Sequence, residues 1–137
     1  MPDKSVIALS KMQLQEANKI LSFIPVYIDA GDYNGAINRS YYASFHVLKA
    51  LEVMDGFDSK KHSGALSFFR SNYIKTGKLS TELSRIIGRL QDARNACDYD
   101  MSMSFKADDA QEAYNNAKVF TREIEAYLLS IFETEDG

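Results

Sequence analysis

Residues 33–54, which read YNGAINRSYYASFHVLKALEVM, decide the fold. Apolar and small side chains cover nearly the whole circumference of the helix that this stretch predicts. A helix that is apolar all round is buried on more than one side. We therefore expect this helix to be the central one, or to supply both a core and an oligomer interface.

Four further helices are predicted around the central one. Over residues 14–28, apolar residues recur at spacings of three and four, the pattern of one buried helix face. Pro25 falls inside this pattern and should kink the helix or end it early. Gly31 is expected to stop it, and Asp32 is a good N-cap for the central helix. The other predicted helices cover about residues 61–73, 80–97 and 110–131.

The composition fits one helical domain. The 137 residues are 45% hydrophobic, which is enough to fill a single core. Glycine and proline are scarce, which favours helices over a β-sandwich or barrel. Short loops make neighbouring helices antiparallel. We expect an all-α, up-and-down bundle of about five helices spanning residues 1–137, with its core at about 7–132 and a frayed acidic tail at 133–137.

The sequence favours a soluble, cytoplasmic protein. Cys97 is the only cysteine, so no intrachain disulfide is possible and a reducing compartment is expected. The N-terminus lacks a signal segment, and no apolar run is long enough to cross a bilayer. A Gly-rich phosphate loop and a Cys/His cluster for zinc are also missing. We therefore expect no cofactor, no metal and no membrane contact.

The charges are unevenly distributed. The net charge of −3 does not suggest a general binder of polyanions. Residues 58–97 nevertheless hold eight cations and three acids, a net of +5, whereas residues 98–137 hold three cations and ten acids, a net of −7. This asymmetry predicts either a local anion site or a solvated mixture of charged faces.

Arg94 breaks the pattern of the fourth predicted helix. With about 100° per residue and Leu90 taken as zero, Leu83 lies near ~20°, Cys97 near ~−20° and Arg94 near ~40°. The guanidinium therefore falls inside the apolar stripe, where it needs an anion, a carboxylate partner or a wet interface. Two interpretations remain open: an ion pair with Asp98, or an arginine that contacts an anion in a groove beside another subunit.

The end of this helix is unusually polar for a bundle. Asn95, Asp98, Tyr99 and Asp100 follow Arg94 directly. We expect Arg94, Asn95, Asp98 and Tyr99 to form a binding surface, with Arg94 and Tyr99 as candidates for a catalytic role. The alternative is a helix end that frays into the following loop.

Three residues are secondary candidates. Arg39 and His46 are seven apart on the central helix and should point to the same side, offset by only about 20°. A hydrogen-bonded core histidine with a snorkelling arginine is the favoured interpretation of this pair. His62 begins the third predicted helix, where a histidine more often caps or packs than binds a ligand.

Three stretches in the expected order resemble the HEPN domain family, in its branch of small stand-alone proteins. Residues 33–46 (YNGAINRSYYASFH) are similar to the second HEPN helix. Residues 62–65 (HSGA) with Phe69, followed by residues 73–79 (YIKTGKL), resemble the middle segment of that branch. Residues 94–99 (RNACDY) resemble its fourth-helix signature. The resemblance covers roughly residues 7–132.

The resemblance implies a four-helix bundle plus a short helix. It also implies a homodimer in which the arginine-bearing helices line a shared groove. A further implied partner is a minimal nucleotidyltransferase, the two proteins acting as a toxin–antitoxin module. In that setting Tyr99 would contact a base or phosphate, or would be the hydroxyl that the nucleotidyltransferase modifies.

The resemblance also implies a motif: active HEPN members are metal-independent ribonucleases that carry an arginine, often followed by a polar residue, and then a histidine after four to six intervening residues. Arg94 and Asn95 match the start of this motif, but Tyr99, Asp100 or Met101 stands where the histidine belongs. Metal-free RNA cleavage needs a group that moves a proton near neutral pH, and tyrosine, with a pKa near ~10, is poorly suited.

Three functions therefore remain open. The first is a toxin–antitoxin component that binds RNA or a nucleotide in a dimer groove at Arg94. The second is a ribonuclease that uses Arg94 with Tyr99, or with His46 or His62 brought close by the fold. The third is a non-catalytic helical adaptor whose polar surface serves only assembly.

Overall fold

A computed structural model describes residues 3–99 and 105–136, without the side chains of residues 98, 99, 135 and 136. The elements in chain order are α1 (Lys4–Asp29), α2 (Tyr33–Val53), α3 (His62–Phe69), a π-helical turn (Arg70–Ile74), α4 (Thr81–Tyr99) and α5 (Ala107–Asp136). The predicted all-α bundle is confirmed. Within the described ranges, none of these helices combines the length and apolar character needed to span a membrane.

The turn between α1 and α2 contains the helix stop and the N-cap that the sequence predicts. Gly31 adopts a φ of 79°, a left-handed conformation that glycine enters without a steric penalty. Asp32 caps α2, because its Oδ1 accepts a hydrogen bond from the Gly35 amide at 2.9 Å. The three residues between the helices reverse the chain and lay α1 along α2.

Helix α2 is the centre of the bundle, as its all-round apolar character predicts. It packs against α1, α3, α4 and α5. Small residues on α2 allow α1 to approach closely, and Ser10 of α1 donates a buried hydrogen bond to the Ala50 carbonyl at 2.7 Å. The largest fully buried side chains, which come from several helices, include Ile24, Ile37, Tyr41, Leu48, Phe69, Ile87, Phe120 and Ile124.

Helices α1 and α4 flank the central pair α2 and α5 from different sides. Each of them packs against both α2 and α5, whereas no contact joins α1 to α4 in the described part of the chain. Helix α3 and the π-helical turn close one end, where they meet α2 and α4. A ligand or partner at α4 is therefore separated by the core from one at α1.

Two helices extend further than the apolar patterns alone suggest. Helix α1 continues through Pro25 to Asp29 and so does not end early at the proline, because the buried residues Leu21 and Ile24 hold the preceding turn against the core. Helix α5 continues to Asp136, beyond its predicted end at about residue 131. The Thr134 hydroxyl donates to the Ser130 carbonyl within this last turn, at 2.9 Å. The loop expected after the fourth predicted helix lies largely outside the described residues, which omit positions 100–104.

Candidate functional site

Arg94 lies half-buried on α4, against α2. Its guanidinium carbon is 5.2 Å from the ring centre of Tyr41 and 5.4 Å from that of Tyr42. Its Nη2 donates to the Tyr42 hydroxyl at 3.4 Å, and its Nε is buried. Ring faces attract a guanidinium electrostatically, so the two tyrosine rings stabilise the charge of Arg94 in a partly desolvated position. Arg94 therefore lies inside the apolar stripe.

His62 joins the same two tyrosines from the start of α3. Its Nδ1 lies 3.0 Å from the Tyr41 hydroxyl, a hydrogen bond whose donor depends on the imidazole tautomer. Its ring centre is 4.0 Å from that of Phe45, with the planes 30° apart. We call Tyr41, Tyr42, Phe45, His62 and Arg94 the arginine–aromatic cluster. Three helices contribute to it, and the central one supplies its aromatic floor.

The electrostatics of the arginine–aromatic cluster set the protonation states. Burial lowers the pKa of His62, and the cations Arg94 and Lys49 lower it further. Burial raises the pKa of Tyr41, which the Arg94 charge partly opposes and Tyr42 reinforces. At neutral pH the cluster therefore combines a permanent cation, a neutral imidazole and a protonated Tyr41 phenol.

These groups suit recognition of a phosphorylated base. A guanidinium presents several N–H donors in a fork that matches the oxygens of a phosphate. Half-exposed aromatic rings such as those of Tyr42 and His62 offer surfaces on which an unpaired base stacks. A neutral imidazole is also able to accept a proton.

The other predicted site residues lie away from the arginine–aromatic cluster or outside the described residues. His46 faces α1, where its Nδ1 lies 2.7 Å from the Gln13 Oε1, and burial lowers its pKa. Arg39 lies on the same side, exposed in a groove that α1 lines. Asn95 is exposed, rotated by about 100° around α4 from Arg94. The side chains of Asp98 and Tyr99, and therefore a pair between Arg94 and Asp98, lie outside the described residues.

Tyr41, Tyr42 and Phe45 are the site residues that the sequence analysis did not single out. The sequence pattern indicates that they are core aromatic residues of a central helix, and Tyr41 and Phe45 are indeed buried. The available signal was their spacing: Phe45 lies four residues after Tyr41 and three after Tyr42, and residues three and four apart are neighbours on a helix surface. When an arginine lies within the apolar stripe of another helix, adjoining aromatic residues of this kind indicate a binding position for its charge.

Comparison with known proteins finds matches along most of the chain. The model of the HEPN domain matches residues 10–127, from α1 to α5. A protein of Methanocaldococcus jannaschii named "Putative toxin" is 31% identical over 117 residues, which are 85% of this chain and 80% of that protein. A second "Putative toxin" of the same organism is 27% identical over 118 residues, 86% of this chain and 87% of its own length.

A further relative comes from a bacterium. The "UPF0332 protein" of Thermotoga maritima is 34% identical over 95 residues, which are 69% of this chain and 72% of that protein. The family match spans every helix that carries the arginine–aromatic cluster. The chain belongs to the HEPN domain family.

Proposed function

We propose that this protein is the HEPN component of a cytoplasmic toxin–antitoxin module and binds RNA or a nucleotide at the arginine–aromatic cluster. The observation that carries the proposal is the position of the Arg94 side chain, which lies half-buried over the rings of Tyr41 and Tyr42. The names of two relatives support a toxic role. A second subunit would complete the groove over α4, as the resemblance implies, and a nucleotidyltransferase would be the antitoxin partner.

Two features direct the ligand to this face. Partial burial strengthens the attraction between Arg94 and a phosphate, because fewer water molecules screen the charges. Lys60 and Lys61 precede His62 at the start of α3 and are both exposed. They add positive charge on the route to the cluster. The proposed pose places a phosphate on Arg94 and a base against Tyr42.

Fluorescence anisotropy with a labelled, mixed-sequence single-stranded RNA tests this proposal. Arg94→Met removes the charge and keeps an unbranched apolar side chain over the tyrosines. We expect the dissociation constant to rise at least about tenfold, which corresponds to ~1.4 kcal/mol. Arg89→Met, an exposed arginine on the same helix, is the matched control and should leave the affinity within about twofold.

Two results would contradict the proposal. RNA binding that is equal in the wild type and in Arg94→Met would show that the cluster is not the site. An Arg94→Met variant that unfolds would assign Arg94 a structural role instead. Circular dichroism and the melting temperature distinguish unfolding from a loss of binding by a folded variant. Replacing a half-buried arginine by methionine is not expected to unfold the protein, because the site is already lined by aromatic rings.

A second candidate function, a metal-independent ribonuclease, is favoured by the position of His62. Although the family motif lacks its histidine after Arg94, His62 lies against the same tyrosines and is neutral at neutral pH. It is thus suited to accept the proton of a ribose 2′-hydroxyl. Cleavage of RNA in the presence of a chelator, lost in His62→Ala, would support this activity. Intact RNA at high protein concentration would exclude it.

A further inference from the structure

The outer face of α1 carries large apolar side chains that the described chain leaves exposed. Leu9, Met12, Phe23 and Val26 are 50%, 63%, 54% and 61% exposed. On the opposite face, α1 buries Ile7, Ser10, Leu14, Ala17, Leu21 and Ile24 against the bundle. With about 100° per residue, the centres of the two stripes lie roughly 160° apart. The exposed stripe is therefore a second apolar face of α1.

The spacing along this second face is that of a coiled coil. Positions 9, 12, 16, 19, 23 and 26 alternate steps of three and four, which is the repeat of the a and d positions in a heptad. The two central positions are Glu16 and Lys19, both exposed. The seam thus has an apolar pair at each end and one acid and one base in the middle. We call these six residues the α1 seam.

The α1 seam is complementary to itself. Its six positions are symmetric about the midpoint between residues 17 and 18. An antiparallel copy of α1, related by a two-fold axis through that midpoint, places Leu9 opposite Val26 and Met12 opposite Phe23. The same axis places Glu16 opposite Lys19 of the second copy. Every position then faces a compatible one, as an isologous interface requires.

The charges select this orientation over the parallel one. In a parallel, in-register pair, Glu16 would face Glu16 and Lys19 would face Lys19, and like charges in an interface are repulsive. Grooves of about 400 Å³ and 140 Å³ accompany the seam at its two ends, where α1 meets α2. The first is lined by Phe23 and Val26, the second by Leu9, so side chains of an approaching helix find space beside each apolar pair.

We propose that the α1 seam is the surface through which a second copy of this chain binds, antiparallel, with Glu16 of each copy paired to Lys19 of the other. The proposal does not depend on the RNA-binding function, because α1 and α4 do not touch in the described part of the chain. The seam leaves the arginine–aromatic cluster uncovered on the α4 side. An interface over Arg94 would be additional to it.

Charge exchange tests the proposal. Light scattering during size-exclusion chromatography gives the mass of the assembly of 15.4 kDa chains. We expect Glu16→Lys and Lys19→Glu each to halve the wild-type mass, because each variant introduces two repulsive contacts across the two-fold axis. The double variant Glu16→Lys/Lys19→Glu should restore the wild-type mass. Sedimentation should show at least about a tenfold weaker self-association for each single variant.

Matched variants separate the seam from general effects. Met12→Ser/Phe23→Ser removes apolar seam contacts and should also halve the mass, whereas Val119→Ser, at an apolar position 44% exposed on α5, should not. Glu123→Lys on α5 repeats the charge change away from the seam and should have no effect. Circular dichroism checks the fold of each variant. The RNA affinity of Glu16→Lys reports on the proposed function separately.

Three outcomes would overturn the proposal. The first is a wild type that elutes with the mass of one chain. The second is that the single charge variants keep the wild-type mass while Arg94→Met changes it, which would place the contact between copies on α4. The third is a double variant that remains dissociated, which would show that Glu16 and Lys19 do not pair.

Discussion

Replacing Glu52 by glutamine is expected to change how the stability of the protein depends on pH. Glu52 is only 2% exposed, and its Oε2 has no hydrogen-bond partner within the described residues. Burial raises the pKa of this carboxyl to about 8, although Lys49 opposes the rise and Asp58 adds to it. The native protein therefore keeps a proton on Glu52 at pH 7, whereas the unfolded chain releases it.

The direction and the magnitude of the change in the free energy of unfolding with pH follow from this difference in proton binding. Below the ordinary pKa of 4.5 the stabilising contribution of the protonated carboxyl is fully present, and it is lost as the pH rises to about 8. Each pH unit in this window costs about 1.36 kcal/mol, so the loss from pH 5 to pH 7 is roughly 2–3 kcal/mol. Glutamine carries no titratable proton, so Glu52→Gln should lack this part of the loss.

Urea unfolding followed by circular dichroism at pH 5, 6, 7, 8 and 9 measures the effect. The free energy of unfolding of Glu52→Gln relative to the wild type should increase by roughly 2–3 kcal/mol between pH 5 and pH 7 and level off above about pH 8. Glu82→Gln, which changes an exposed partner of Arg85, should follow the wild-type pH profile. Parallel profiles for the wild type and Glu52→Gln would refute a neutral, buried Glu52.

Three further changes test the core and the site. Thr121→Val should raise the free energy of unfolding by about 1 kcal/mol in urea titrations, because the buried Thr121 hydroxyl has no hydrogen-bond partner among the described residues. Ser10→Ala should lower it by about 1 kcal/mol in the same assay, because the hydrogen bond to Ala50 is lost. Arg94→Met should raise the pKa of His62 in an NMR titration, because one of the two cations that depress it is removed. An unchanged His62 pKa would show that the two side chains do not interact.

The helices of this fold can be predicted from local patterns. Steps of three and four between apolar residues identify α1, α4 and α5, and the all-round apolar α2 is central because no other arrangement buries it. Gly31 and Asp32 mark one boundary through their own conformational and capping preferences. The passage of α1 through Pro25 could not be predicted in the same way, because packing of the preceding turn decides it.

The site was only partly predictable. Arg94 stands out in the sequence because a charge interrupts an apolar stripe. The meeting of His62 with Arg94 depends on how α3 and α4 pack around Tyr41 and Tyr42, which no local spacing encodes. Arg39 and His46 match the family spacing, yet both lie on the side of α2 that faces α1. Spacing alone therefore cannot distinguish a catalytic arginine–histidine pair from a structural one.

The salt dependence of RNA binding tests most directly whether Arg94 contacts a phosphate. Plots of the logarithm of the RNA association constant against the logarithm of salt concentration should be less steep for Arg94→Met than for the wild type, by about 0.7 for one lost contact to single-stranded RNA. Arg89→Met should keep the wild-type slope. Equal slopes for the wild type and Arg94→Met would contradict a phosphate on Arg94.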